Sequence, residues 1–547
     1  MKHRSAKSPR PSVPPGTLAI DQALAAGDVA RAAGLAERAL AAGQQTPLIL
    51  NLVAWKREEE GDYPGAHALL RRALAQSPAD PLILGSVGAV LRKEGRLEEA
   101  LAVLDHVVAV APRHAAAWLE RGYVLDAQRA DRDAVASYER ALALDPSLAP
   151  AHGKIADSAA RTGDAARART HGELALALDP AEPAATAALA TLEIEARNGT
   201  AAEARLRGLL AHPLRGDDRT RSLTLLGDAL DRQDRTEEAF ATWTAAQTVF
   251  AQHHDALLAP GPDRPSHRAF IEAITAQVAA APPFARSPAP QRAPGEADTH
   301  VFLLGYPRSG TTLVENILAS AERVAALEER DTLAAADQAL IANDGAMPDL
   351  DALDPALVER LRAAYWARVG ALGADVAGRT FVDMNPFNGI KLPVIARLFP
   401  TARIALMRRD PRDVVLSCYR INFTPSPAAY SFTKLEETAR HYDALMRLTE
   451  LCREKLPLAV HEIRYDRLVA DFEPTVRALA AFIGIPWTDA FTRFERTAQR
   501  RGVRTASATQ VRRGLYDGRG QWRRYERELA PVMPILMPWV ERFGFEP

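Results

Sequence analysis

Cysteine is almost absent from the 547 residues: Cys418 and Cys452 are the only two, which excludes a disulfide framework and a thiolate zinc site. So little cysteine fits a reducing compartment. An excess of one charge is also missing. Lys and Arg number 68 against 69 Asp and Glu, for a net charge of −1, so a nucleic-acid partner is not expected and any charge-based function is local. No run approaches the ~18 uninterrupted apolar residues of a membrane span. The opening MKHRSAKSPRPSVPPGT is basic and Pro-rich with no apolar segment behind it. Residues 1–17 therefore read as a disordered tail, not a signal peptide, and the expected location is the cytoplasm. What remains is ordinary globular composition in a chain too long for one core, which calls for at least two domains.

The first half repeats. Pro78, Pro112, Pro146 and Pro180 follow one another at steps of 34, as do Ala32, Ala66, Ala100, Ala134, Ala168 and Ala202, and Gly27, Gly61 and Gly95. Each unit holds two amphipathic helical halves, a Gly or polar turn between them, and a Pro closing the second. A small Ala at a fixed place lets paired helices approach closely. LGDALDRQDRTEEAFATW (226–243) looks like one more unit, slightly out of phase. The pattern resembles the tetratricopeptide repeat, which implies an all-α solenoid over 18–250 that binds a protein or peptide. Residues 251–297, which include the Pro- and Ala-rich APPFARSPAPQRAPGEA, read as a linker.

From 298 to 547 apolar strands alternate with helical segments, which predicts an α/β domain with a mainly parallel sheet. The apolar run Val301–Leu304 leads into GYPRSGTT, a strand, a Gly-rich turn and a helix start, the arrangement that cradles phosphate on backbone amides. Gly305 and Gly310 have the spacing of a nucleotide-triphosphate loop, but Thr311 stands where that loop has its Lys. A second strand, Ile404–Met407, ends in RRDPRD. Asp410 suits a helix N-cap and Pro411 the first helical position, so Arg409 and Ser417 lie where an anion could sit. Ligands of open α/β sheets bind beyond the carboxyl ends of strands, which predicts that the two loops are neighbours. No His/Asp cluster of ligand spacing occurs in this half, since His253-His254-Asp255 lies outside it, and no metal is expected.

Together, GYPRSGTT and RRDPRDVVLS resemble the paired signatures of sulfotransferases that use 3'-phosphoadenosine 5'-phosphosulfate, over about 245 residues and most closely in the tyrosylprotein branch, whose bacterial members often carry tetratricopeptide repeats in front. The resemblance implies a P-loop-like sulfotransferase domain in which Arg308, Ser309, Gly310, Thr311 and Thr312 hold the 5'-phosphosulfate, and Arg409 and Ser417 hold the 3'-phosphate. It implies Glu329 as the general base, with Glu328 one residue away, Tyr465 on the adenosine side, and Ser507 beside the transferring group. Two positions depart from the pattern. Met384 stands where the family often has a Lys that contacts the bridging oxygen, and Gln521 stands where a basic residue usually precedes Trp522; Arg308 and Lys391 are substitutes for the missing donor. The expected activity is sulfuryl transfer to a hydroxyl acceptor, such as a peptide tyrosine. A catalytically impaired scaffold acting through its repeats and a variant P-loop kinase are the alternatives.

Overall fold

The computed structural model describes residues 15–214, 216–284, 295–501, 511–512 and 514–546. Most of the expected tail, and Ser507, lie outside the described residues; the first helix, Pro15–Ala25, opens inside the segment read as tail.

Helical hairpins make up the first half. The periodic alanines are buried at the helix pairs, with Ala32, Ala66, Ala100, Ala168 and Ala202 at 0% exposure and Ala134 at 2%. Asp28 and Asp62, one period apart, cap their helices by accepting the amides of Arg31 and Gly65, each at 2.9 Å. The turn inside each unit requires left-handed backbone: φ is 74° at Gly27, 80° at Gly61, 78° at Gly95 and 87° at Gly163. Arg129 and Arg197 fall at the same phase and adopt φ of 63° and 61°, so the fold imposes this conformation even where Gly has been replaced.

Two compact units result, Met1–Ser158 with Ala166–Ala185, and Ala159–Ala165 with Thr186–Pro547. The second unit therefore takes in the later hairpins as well as the sheet. Helix Thr236–Leu258 buries Trp243 completely, and its Gln247 amide donates to the carbonyls of Tyr419 and Ile421 at 2.6 and 3.1 Å. The stretch read as linker holds the last turns of that helix and a further helix, His267–Ala280, with Ile271, Ile274 and Val278 buried. The prolines on either side obscure this helical spacing in the sequence.

The sheet has five strands, β1 (Thr299–Leu304), β2 (Val324–Glu328), β3 (Thr380–Met384), β4 (Arg403–Arg408) and β5 (Ala459–Arg464). Their order is β2-β3-β1-β4-β5 and every neighbouring pair is parallel. Val301 and Leu303 pack on one face with Val382, Ala405 and Met407, and Phe302 and Leu304 on the other with Phe381 and Ile404. Burial on both faces explains why these strands are continuous apolar runs instead of alternating ones. Because β1 and β4 are adjacent, the loops that follow them meet at one edge of the sheet. Among the described residues no helix is long and apolar enough to cross a membrane.

Candidate active site

The turn after β1 delivers the chain into helix Thr311–Leu318. Gly310 at the N-cap has φ of 108°, which a side chain would not tolerate; a Cβ there would also lie 2.9 Å from the ring of Tyr465. Arg308 takes φ of 70° without being Gly, at a cost of about 1–2 kcal/mol. Setting aside the repeat-phase arginines and Asp234 in the turn of the last hairpin, Arg308 and Glu329 are the only non-Gly residues with positive φ among the described residues. Strain of this kind is kept where geometry serves a site. Thr311 and Thr312 are buried in the first helical turn, whose amides have no intrahelical acceptor. Ser309 Oγ is buried and has no hydrogen-bond partner among the described residues. Beneath the turn the Cys418 thiol donates to the Pro307 carbonyl at 3.4 Å, and burial holds that thiol neutral, well above its usual range.

The loop after β4 locks onto the first one. Asp410 caps helix Pro411–Tyr419 by accepting the Arg412 amide at 2.9 Å, with Pro411 at the first position. Arg409 donates to the Arg308 carbonyl at 3.0 Å and to the Gly518 carbonyl at 2.5 Å, and its guanidinium lies 4.7 Å from the centre of the Tyr465 ring. Arg308 Nε donates to Ser417 Oγ at 3.1 Å. The Tyr465 hydroxyl donates to the Tyr516 carbonyl at 2.7 Å and receives the Gly518 amide at 3.3 Å. Arg308, Arg409, Ser417 and Tyr465 are thus one cluster. Burial, together with the charges of Arg409 and Arg420, pulls Arg308 down to about 10, while Cys418 and Glu329 act the other way. Guanidinium charge gathered this tightly favours an anion between the loops. A cavity of about 580 Å³ opens beside Arg409, Tyr465, Arg519 and Trp522.

Glu329 is the first residue beyond β2. Its amide donates to the Met384 carbonyl at 2.7 Å, which anchors it to the end of β3. Three residues on, Thr332 Oγ1 donates to Asp383 Oδ2 at 2.6 Å, and the Tyr365 hydroxyl donates to the same oxygen at 2.7 Å. Of the two candidates for the base, Glu329 is among the charges that act on Arg308. Glu328 ends the strand, paired in register with Met384.

Asp383 is fully buried, and burial pushes its carboxyl up to about 6 against the pull of the two hydroxyls. Such a group stabilises the fold most below its unfolded value of 3.8, and that contribution is lost as pH rises through about 6. Asp383→Asn is therefore expected to flatten the pH dependence of urea unfolding between pH 4 and 6 and to raise the midpoint at pH 8. The gap between the two values corresponds to about 3 kcal/mol. An unchanged profile would show that the carboxylate ionises as freely as in water.

Both departures from the expected pattern acquire a physical context. Met384 is 0% exposed, packed among Leu313, Val314 and Val382. Lys391 is held by Asp337 and stands 3.7 Å from Asp331, so it is committed to an ion pair and not to the anion loop. The C-terminal return is fixed by Asp413, which accepts the Gly520 and Trp522 amides, each at 2.9 Å, and by Arg412, whose guanidinium stacks 3.8 Å over the Trp522 ring. Sequence reasoning missed these two residues because their partners lie over a hundred positions away; the Asp at the third helical position of DPRD was the available signal.

The sulfotransferase family matches residues 300–489, and tetratricopeptide repeats match residues 17–81, 58–121 and 132–183. The chain is similar to an uncharacterized protein of Aquifex aeolicus (strain VF5), 31% identical over 246 residues; this is 43% of the chain but only 32% of that relative's length. It is also similar to protein-tyrosine sulfotransferase 1 of Danio rerio, 23% identical over 261 residues, covering 45% of this chain and 72% of that one. Among solved structures, a tetratricopeptide repeat protein from Parabacteroides merdae ATCC 43184 is similar over 43% of this chain and 91% of its own, at 16% identity and a TM-score of 0.32.

Proposed function

For a chain that joins tetratricopeptide repeats to a sulfotransferase-family domain, we propose transfer of a sulfuryl group from 3'-phosphoadenosine 5'-phosphosulfate to a hydroxyl acceptor. The observation that carries the reading is the bonding between the two anion loops, from Arg308 to Ser417 and from Arg409 to the Arg308 carbonyl. A ligand with two separated anionic groups suits two adjoining loops. In this reading Arg308, Ser309, Gly310, Thr311 and Thr312 hold the 5'-phosphosulfate, Arg409 and Ser417 the 3'-phosphate, and Tyr465 the adenosine side. Ser507 keeps its role beside the transferring group on the resemblance alone.

The bound nucleotide supplies an activated sulfuryl group. Sulfuryl transfer, like phosphoryl transfer, asks chiefly for alignment and charge stabilisation. Glu329 takes the acceptor hydroxyl proton, which requires hydrogen-bond reach. Arg308 neutralises the charge that develops on the departing phosphate oxygen, a task left to it by Met384. The Danio rerio relative's name makes a peptide tyrosine the first acceptor to test. The repeats would bind that acceptor or a partner protein, in the cytoplasm, where two buried free thiols stay reduced.

Calorimetric titration with 3'-phosphoadenosine 5'-phosphate should show affinity at least tenfold above the analogue without the 3'-phosphate, and above ATP. Equal affinities would sink the donor assignment. A second reading, nucleotide binding without turnover, is favoured by Met384, which has no hydrogen to donate. It predicts the same titration with no transfer to any hydroxyl acceptor.

A further inference from the structure

Among the described residues, one group of three metal-ligating side chains converges: Asp217, His253 and His254. The sequence predicts no metal, on the ground that the catalytic half has no His/Asp cluster of ligand spacing; this group lies on two helices that precede that half. Asp217 stands in the first turn of helix Gly216–Asp231, and the two histidines are adjacent near the end of helix Thr236–Leu258. We infer that these three side chains form a site for a divalent transition-metal ion of zinc type, independent of the proposed transfer reaction.

The donor atoms of all three residues lie within 4.8 Å of one another. His254 Nε2 and Asp217 Oδ1 are 2.8 Å apart. Ligand atoms around a tetrahedral zinc, each about 2.0–2.1 Å from the metal, stand about 3.3 Å from one another. The His254–Asp217 pair would open by about half an ångström, and His253 would swing inward by a side-chain rotation. His254 is buried and its ring is held 4.6 Å from the ring of Phe250, so one ligand is pre-positioned. His253 and Asp217 are exposed and give an ion access from solvent. The residue at 216 leaves room for the imidazole of His253: a Cβ there would come within 2.5 Å of Nε2. Two imidazoles and one carboxylate select zinc, nickel or copper over magnesium and calcium, which favour all-oxygen shells. Three protein ligands leave a coordination position for water. The ion would tie the start of one helix to the end of the next, on the same helix whose Gln247 caps helix Pro411–Tyr419.

The test uses the full chain, stripped by dialysis against a chelator and titrated with ZnCl2 in a calorimeter. One equivalent should bind, MgCl2 should give no heat, and the melting temperature should rise with Zn²⁺ concentration by mass action. His253→Ala and Asp217→Asn change exposed groups and should keep the fold, checked by circular dichroism. Each should weaken Zn²⁺ at least tenfold and abolish the thermal shift. Unchanged affinity in either variant, or no binding by the parent chain at millimolar Zn²⁺, would overturn the assignment.

Discussion

Arg308→Ala is expected to abolish transfer, lowering kcat by at least about 10²–10³-fold, the cost of losing one donor aimed at developing charge. The loss should be large because, among the described residues, the groups considered as substitutes are engaged elsewhere. Lys391 is bound by Asp337, Met384 has no hydrogen to donate, and Arg409, which donates to the carbonyls of Arg308 and Gly518, is assigned to the 3'-phosphate. The substitution keeps a non-Gly residue in the left-handed backbone that Arg308 already adopts, a strain of about 1–2 kcal/mol. Arg308→Gly removes the same charge while relieving that strain. If both variants lose activity to the same extent although only the glycine variant is relieved of that strain, charge and not backbone distortion is responsible. Near-normal initial rates in either variant would remove the loop after β1 from the reaction.

Glu329→Gln should cut turnover about 10²–10⁴-fold, the usual contribution of a positioned general base, and leave nucleotide affinity nearly unchanged. The glutamine keeps the amide that donates to the Met384 carbonyl, so the turn and its φ of 47° should persist. Only the group that accepts the acceptor's proton is lost. Single-turnover rates, with binding of 3'-phosphoadenosine 5'-phosphate measured beside them, separate the two effects. If Glu328→Gln is the variant that fails, the base is the residue ending β2 and the register is off by one.

Much of this architecture was legible in local order. The 34-residue period predicted the hairpins, since each turn, cap and buried alanine recurs with the fold's own repeat. GYPRSGTT and RRDPRD predicted both loops, because a strand end, a tight turn and a helix cap are made by consecutive residues. Their adjacency followed from the sheet rule, and β1 beside β4 bears it out. The helix at His267–Ala280 was concealed by the prolines around it, and the division of the repeats near Ala185 left no mark in their period.

Local order thus specified which elements form, because capping, turn conformation and helical or strand spacing act over a few residues. It could not specify which distant groups share a charge environment. The action of the Glu329 charge on Arg308, the capture of Lys391 by Asp337, the closure of the C-terminal return onto Asp413, and the burial that raises the Asp383 carboxyl to about 6 all depend on strands and loops brought together from separate parts of the chain. Electrostatics and desolvation act through space, so these features arose only when the chain had folded.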